Sequence, residues 1–261
     1  MRVECFECDA AFEADDAATI SDRFVAHAGD SHEWSYSEEA LRNWARNVAE
    51  ATERLTGGTE RLPEIGEVTV HPITEDRIDD WLQFFDHDAF AANPGWASCY
   101  CLEPYDPEGD GERLWEEKRA VMVERIRNHG AFGYLAYVGG RPAGWVNASL
   151  RSDYGDFYRT IDPEGPDPSS VIGVSCFVIA PPFREHGVAS GLLDRVIEDA
   201  ASRGACWIEA YPHTERNEPG ASHLFRGPRS MYDARGFEPI ETRDRNTVMR
   251  QPVALGGGEG I

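Results

Sequence analysis

Lysine is almost missing from this chain. Of 25 basic residues only Lys118 is a lysine, and against 47 acidic residues they leave a formal net charge of −22. Phosphate affinity needs clustered cations, so bare DNA or RNA is excluded as a primary partner. Long apolar runs are missing too. Nothing approaches the ~18 consecutive apolar residues of a membrane span, and the opening MRVECFECDA has no signal-peptide core. The expectation is a cytoplasmic protein that meets no membrane. Cysteine is sparse, at six residues. Without an export signal these read as reduced thiols or a metal site rather than a disulfide framework. No internal repeat is visible.

What is present is an ordinary globular core composition. Hydrophobic residues make up 41% of 261 residues, enough for one large domain or a small one beside a medium one. The excess negative charge repels itself at ordinary ionic strength. At molar salt the Debye length shrinks to about 3 Å and the repulsion is screened, so the acid-rich, lysine-poor balance fits a halophilic interior.

Along the chain, residues 1–35 hold two cysteines and two histidines, and 37–56 read as a helix with Leu41, Trp44, Val48 and Leu55 on one stripe. Ser35 and Glu38 form a capping-box pattern, and Gly57-Gly58 ends the helix. The Pro/Gly-punctuated stretch Thr59–Glu67 places a domain boundary near Leu62, giving a module over 1–62, a larger domain over 63–253 and a disordered glycine-rich tail over 254–261. Strands are expected over 67–71, 132–138, 142–150, 171–179 and 206–211, with at least one more in 237–250. Gly139-Gly140 suits a tight hairpin. Helices are expected after Thr74, over 114–128 and 189–203, and as a short one over 228–235. Residues 151–170 read as a long polar loop carrying Tyr154, Phe157 and Tyr158.

The most informative stretch is Val174–Ser190, where an apolar strand runs through Arg184-Glu185-His186-Gly187-Val188-Ala189-Ser190 into an amphipathic helix. The first N–H groups of a helix lack internal partners and carry the positive end of its dipole, so a phosphate can dock there if small residues let it approach. Gly187 and Ala189 are small, and Arg184 adds positive charge.

Arg184-x-x-Gly187-x-Ala189, with Tyr232-x-x-x-Gly236-Phe237 downstream, resembles the signature of the GNAT N-acetyltransferases, and the likeness spans about Val68 to Val253. It implies an α/β (α+β) fold with a mixed, mostly antiparallel central sheet flanked by helices. It implies acetyl-CoA as co-substrate and direct transfer of its acetyl group to a small-molecule or peptide amine. The fourth and fifth strands of that domain would splay. Phe177, Val178 and Ile179 would then offer backbone groups to the pantetheine arm, and Arg184 to Ser190 would hold the pyrophosphate. Tyr232 would be the acid that protonates the leaving thiolate. Phe225-Arg226-Gly227-Pro228-Arg229 departs from the family's usual approach to that tyrosine, and Arg226 or Arg229 could compensate.

The base is left open: Glu209, an ionisable residue in an apolar strand, is the first candidate, with His213 and Asp153 behind it. Cys99 and Cys101 read as packing residues, and Cys176 and Cys206 as small core residues. Cys5-x2-Cys8 followed by His27-x4-His32 has the ligand types of a tetrahedral zinc site and resembles small Cys/His metal-binding modules. Residues 1–60 carry 14 acidic and 5 basic residues, so a structural zinc that staples a small helical module is expected rather than a DNA-reading finger. The alternative function is a non-catalytic acyl-CoA-binding module whose zinc-stapled part docks a partner. The acceptor, and whether the chain forms a homodimer, stay open.

Overall fold

The protein, described from a computed structural model, is defined at residues 1–33, 36–106, 113–159, 161, 162, 164–214 and 224–254. The tail beyond Ala254 lies outside the described residues, as does Ser35, the expected cap. Ser37 caps the helix instead, its Oγ accepting from the Ala40 amide at 3.1 Å.

A hairpin opens the chain, with β1 (Arg2–Glu4) antiparallel to β2 (Ala11–Glu13). Neither strand was foreseen, because three residues carry too little alternation to read. Two helices follow, α1 (Ala17–Ser31) and α2 (Glu38–Arg54). Val3, Ile20, Phe24, Leu41, Ala45 and Val48 form a small core of their own. The last turn of α2 belongs elsewhere. Arg54 donates to the carbonyls of Asp86 and Ala97 and to the Tyr100 hydroxyl at 3.0–3.2 Å, and sits 4.3 Å over the Trp115 ring.

The main core is built on a seven-stranded sheet in the order β3-β4-β5-β6-β7-β9-β8. The strands are β3 (Val68–Pro72), β4 (Gly133–Val138), β5 (Arg141–Leu150), β6 (Val171–Ile179), β7 (Trp207–Ala210), β8 (Glu238–Thr242) and β9 (Thr247–Pro252). Gly139 and Gly140 take φ of 58° and 78°, the left-handed pair that closes β4 onto β5 as a tight hairpin. All neighbours are antiparallel except β6 and β7. A parallel pair needs a crossover, which α6 (Val188–Asp199) supplies. At Gly144 an added Cβ would stand 2.7 Å from Ile179 Cδ1 and 3.0 Å from Val188 Cγ1, so glycine lets α6 close on the sheet.

The remaining helices are α3 (Ile78–Gln83), which runs into a π-helical turn over Phe84–Asp88, α4 (Trp115–Arg127), α5 (Asp156–Arg159) and α7 (Arg229–Asp233). Thr74 precedes a single 3-10 turn (Glu75–Arg77) and makes no capping bond to it.

Residues 151–170 depart most from expectation. The stretch contains two 3-10 turns and α5, and Tyr154 and Tyr158 are buried in the main core. The Tyr154 hydroxyl donates to the Gly173 carbonyl at 2.6 Å, so an apparently polar loop is pinned to β6 by a buried phenol. Cys206 also departs: it is exposed just before β7, not a core residue. No helix among the described residues is long and apolar enough to cross a membrane.

Candidate functional site

The site follows from where two strands part. β6 pairs with β7 only over Val171–Val174, while on its other side it stays paired with β5 out to Ile179. From Ser175 onward the β7-facing edge of β6 has no partner strand among the described residues. A cavity of ≈ 1120 Å³ opens there, lined by Ser175–Ile179, by Arg184, Glu185 and Gly187–Ser190, by Leu224–Pro228, and by Cys99, Cys101 and Glu103.

At its far end β6 turns through Pro181–Phe183 into α6. Glu185 and Gly187 both take left-handed backbone, at φ 64° and 79°. Gly187 is required for that reason: an added Cβ would have open space but a strained φ. No amide from Glu185 to Ser190 donates to a backbone group among the described residues. Alternating left- and right-handed residues that aim free N–H groups into one concavity form an anion nest. Arg184 donates through Nε to the Ile179 carbonyl at 3.0 Å. Burial alone pushes its guanidinium down from its ordinary value, a cost an anion would remove. The donors and the charge fit a pyrophosphate. His186 faces elsewhere, its Nε2 2.8 Å from the Leu62 carbonyl, which ties the turn to the connector.

Phe177, Val178 and Ile179 line the cavity with mostly buried side chains. The Phe177 amide is not free: it donates to the Phe225 carbonyl at 2.5 Å. Segment 224–227 thus lies in the gap between the strands.

Tyr232 is fully buried and does not line the cavity. Its hydroxyl donates to the Arg226 carbonyl at 2.6 Å, and burial pushes the phenol well above its ordinary value. Arg226, one of the two arginines that the sequence offered as compensating contacts, is among the residues that line the cavity.

Glu209 is also outside the cavity lining. It is completely buried with Arg151, which donates to its Oε1 at 3.1 Å; Arg250 donates to the same oxygen at 2.8 Å, and the Tyr211 hydroxyl to Oε2 at 3.1 Å. Neither His213 nor Asp153 lines the cavity. Glu103, which sequence reasoning passed over, does. Cys101 and Cys176 meet with sulfurs 3.7 Å apart, and hydrogen bonding to Cys176, with burial, holds the Cys101 thiol well above its ordinary value.

A second cavity of ≈ 920 Å³ shares Trp44, Asn93, Gly95 and Trp96 with the first. Its other wall is the N-terminal module, through Phe6, Tyr36, Leu41 and Val48.

In that module the hairpin and the end of α1 bring Cys5, Cys8, His27 and His32 together, their ligand atoms all within 4.8 Å of one another. Cys5 Sγ lies 3.4 Å from His32 Nε2, Cys8 Sγ 3.4 Å from His27 Nε2, and the two Nε2 atoms 3.2 Å apart. Tetrahedral zinc, with bonds of about 2.3 Å to sulfur and 2.0–2.1 Å to nitrogen, sets S···N edges of ~3.5 Å and N···N edges of ~3.3 Å. The residues therefore fit the ion. The second ring nitrogens are engaged as well, His27 Nδ1 3.2 Å from Ser31 Oγ and His32 Nδ1 3.5 Å from Glu7 Oε2, the kind of support that orients metal-binding imidazoles.

Residues 82–227, more than half of the chain, match the model of the acetyltransferase (GNAT) family. None of the curated proteins matches the chain. Among solved structures, the GNAT-family acetyltransferase of Streptococcus pneumoniae is 18% identical, covering 72% of this chain and 99% of that one at a TM-score of 0.42. The PaiA N-acetyltransferase of Thermoplasma acidophilum, in complex with coenzyme A, is 12% identical over 71% of this chain and 99% of its own, at a TM-score of 0.44. Aminoglycoside acetyltransferase AAC(6')-Ib, also in complex with coenzyme A, is 18% identical over 71% and 95%, at a TM-score of 0.45.

Proposed function

The chain belongs to the acetyltransferase (GNAT) family, and from that membership we propose how its cavities carry the reaction. The protein is an acetyl-CoA-dependent N-acetyltransferase. In the proposed arrangement the amides of Glu185–Ser190 hold the pyrophosphate and the edge of β6 beyond its pairing with β7, over Phe177–Ile179, takes the pantetheine arm where Phe225 and Arg184 leave its backbone groups open. The observation that carries this is the juxtaposition, in one cavity, of amides with no backbone partner among the described residues and the stretch of β6 where its pairing with β7 has ended.

Acetyl-CoA supplies the thioester. The acceptor, a small-molecule or peptide amine, enters through the second cavity, between Trp96 and α2, so the N-terminal module forms part of its wall. An amine must be neutral to attack a carbonyl. Apart from Glu185, which lies on the phosphate turn, Glu103 is the carboxylate that lines the cavity among the described residues, and it accepts the amine's proton in this arrangement. Glu209, with its oxygens committed to Arg151, Arg250 and Tyr211, is assigned to anchoring β7. Tyr232 is assigned to holding the 226–227 backbone. Cys5, Cys8, His27 and His32 hold a structural zinc that fixes the wall carrying Phe6.

The test is thiol release from acetyl-CoA in the presence of primary amines, polyamines, aminoglycosides and peptides with free N-termini. Amine-dependent release is expected, and Glu103→Gln should slow it by about 100-fold, the low end of a general base's contribution. An unchanged rate in Glu103→Gln would remove Glu103 from the reaction.

A further inference from the structure

Arg226 is held in place by its neighbours on three counts. The turn Leu224–Gly227 closes with the Gly227 amide on the Leu224 carbonyl at 2.9 Å, and Gly227 takes a φ of 74°. Phe225 is tied to the Phe177 amide on β6, and the Tyr232 hydroxyl holds Arg226's own carbonyl. With its backbone fixed, the guanidinium lies 5.4 Å over the Phe225 ring and 6.0 Å over the Tyr158 ring, and Arg226 is among the residues that line the cavity. Its Nη1 is buried with no hydrogen-bond partner among the described residues.

A buried N–H donor without an acceptor costs free energy, and a buried cation costs more, unless an anion arrives. Burial pushes the guanidinium down, Tyr158, Glu103 and Cys176 raise it on balance, and none of them gives Nη1 an acceptor. Tyr158 is neutral, its phenol pushed up to about 12 by burial. Glu103 acts on Arg226 electrostatically, but its side chain is exposed. Cys176, the β6 residue just before Phe177, is in the field of the guanidinium. A sulfur carried by an arm lying along Phe177–Ile179 comes to the same neighbourhood.

We infer that Arg226 stabilises the negative charge that develops on the leaving sulfur of acetyl-CoA, so that coenzyme A departs as a thiolate rather than being protonated by Tyr232. This rests on the placement of acetyl-CoA proposed above. The amine nitrogen bonds to the acetyl carbon, the carbon–sulfur bond breaks, and its electron pair stays on sulfur beside the guanidinium. The amine's proton leaves to the cavity base, and the thiolate takes a proton from water after release. Arg226 donates hydrogen bonds and charge throughout and transfers no proton, as suits a guanidinium that stays ionised.

The experiment is a pH titration of coenzyme A bound to the full-length protein, read by the ultraviolet absorbance of the thiolate, with calorimetry to establish saturation. A cation within a few ångströms lowers such a pKa by about 1–3 units, so at pH values below the free thiol's pKa the bound form should hold at least about tenfold more thiolate than free coenzyme A. Arg226→Gln should abolish that excess, Arg226→Lys should keep part of it, and Tyr232→Phe should keep most of it. Bound coenzyme A titrating like free coenzyme A in the wild type overturns the inference, and needs no variant to fold. Loss of the excess in Tyr232→Phe but not in Arg226→Gln overturns it as well. Failure of coenzyme A to bind at all overturns both this inference and the cofactor placement beneath it.

Discussion

The Tyr232 hydroxyl donates to the backbone carbonyl of Arg226 at 2.6 Å. A phenol whose one proton is spent on a main-chain carbonyl, inside a core that also holds Phe237, is placed as a clamp on the turn that carries Arg226. Tyr232→Phe should therefore cost about 1 kcal/mol of stability, the net worth of a buried hydrogen bond. Turnover should fall less than tenfold. A general acid would be worth about 10²–10⁴ in rate, and a loss of that size in steady-state kinetics, with unchanged coenzyme A affinity, would restore Tyr232 to the chemistry.

Glu209 makes the opposite kind of case from a reactive carboxylate. Arg151 and Glu209 are both fully buried, and Arg250 reaches the same oxygen. Removing one member of a buried ionic cluster leaves uncompensated charge, at a cost of about 3–5 kcal/mol. Glu209→Gln should show that loss in denaturant unfolding, while activity per folded molecule stays within a few-fold of wild type. A well-folded Glu209→Gln protein with turnover reduced by orders of magnitude would make it a catalytic base.

Protein purified without chelators should hold one zinc per chain by elemental analysis. Cys5→Ser or Cys8→Ser should abolish it. Thiolate and neutral imidazole are the binding forms, so the ion should be released on acidification, with loss of helical signal from the small N-terminal core. Full zinc content in both serine variants would mean that the four residues are not its ligands.

The acidic surface predicts a salt requirement. Raising KCl from 0.1 M to above 1 M shortens the Debye length from about 10 Å to about 3 Å. Each kcal/mol of relieved repulsion should raise Tm by roughly 2–4 °C for a chain of this size. A Tm that is flat or falls across that range contradicts halophilic adaptation.

Much of the frame was legible in the sequence, and the reasons are local. Gly139-Gly140 announced a hairpin because paired left-handed residues have few other uses. The turn at Gly187 was legible because a small residue, an arginine and a following amphipathic helix stand consecutively. The Cys/His array was visible in its spacing. What was not legible depends on contacts between distant residues. Tyr154 and Tyr158 sit in a polar stretch and are drawn into the core by Gly173 and Tyr211, which no window of neighbours reveals. Arg226 was legible only as one of two arginines that could compensate for a departure from the family pattern, and Glu103 belongs to no motif; the fold brings each to the cavity. Glu209 stood out in the sequence for a good physical reason, a charge in an apolar strand, but what it needed was partners: Arg151 lies 58 residues away and Arg250 41.

The most direct measurement is calorimetric titration of coenzyme A and acetyl-CoA into the full chain in molar KCl, run beside Gly187→Ala. One site per chain is expected. The variant should bind about tenfold more weakly, because a side chain at φ 79° costs about 1–2 kcal/mol where the anion nest must keep its shape. No heat of binding with the wild type, or equal affinity in a folded Gly187→Ala protein, would contradict the assignment of the Arg184–Ser190 turn to the pyrophosphate.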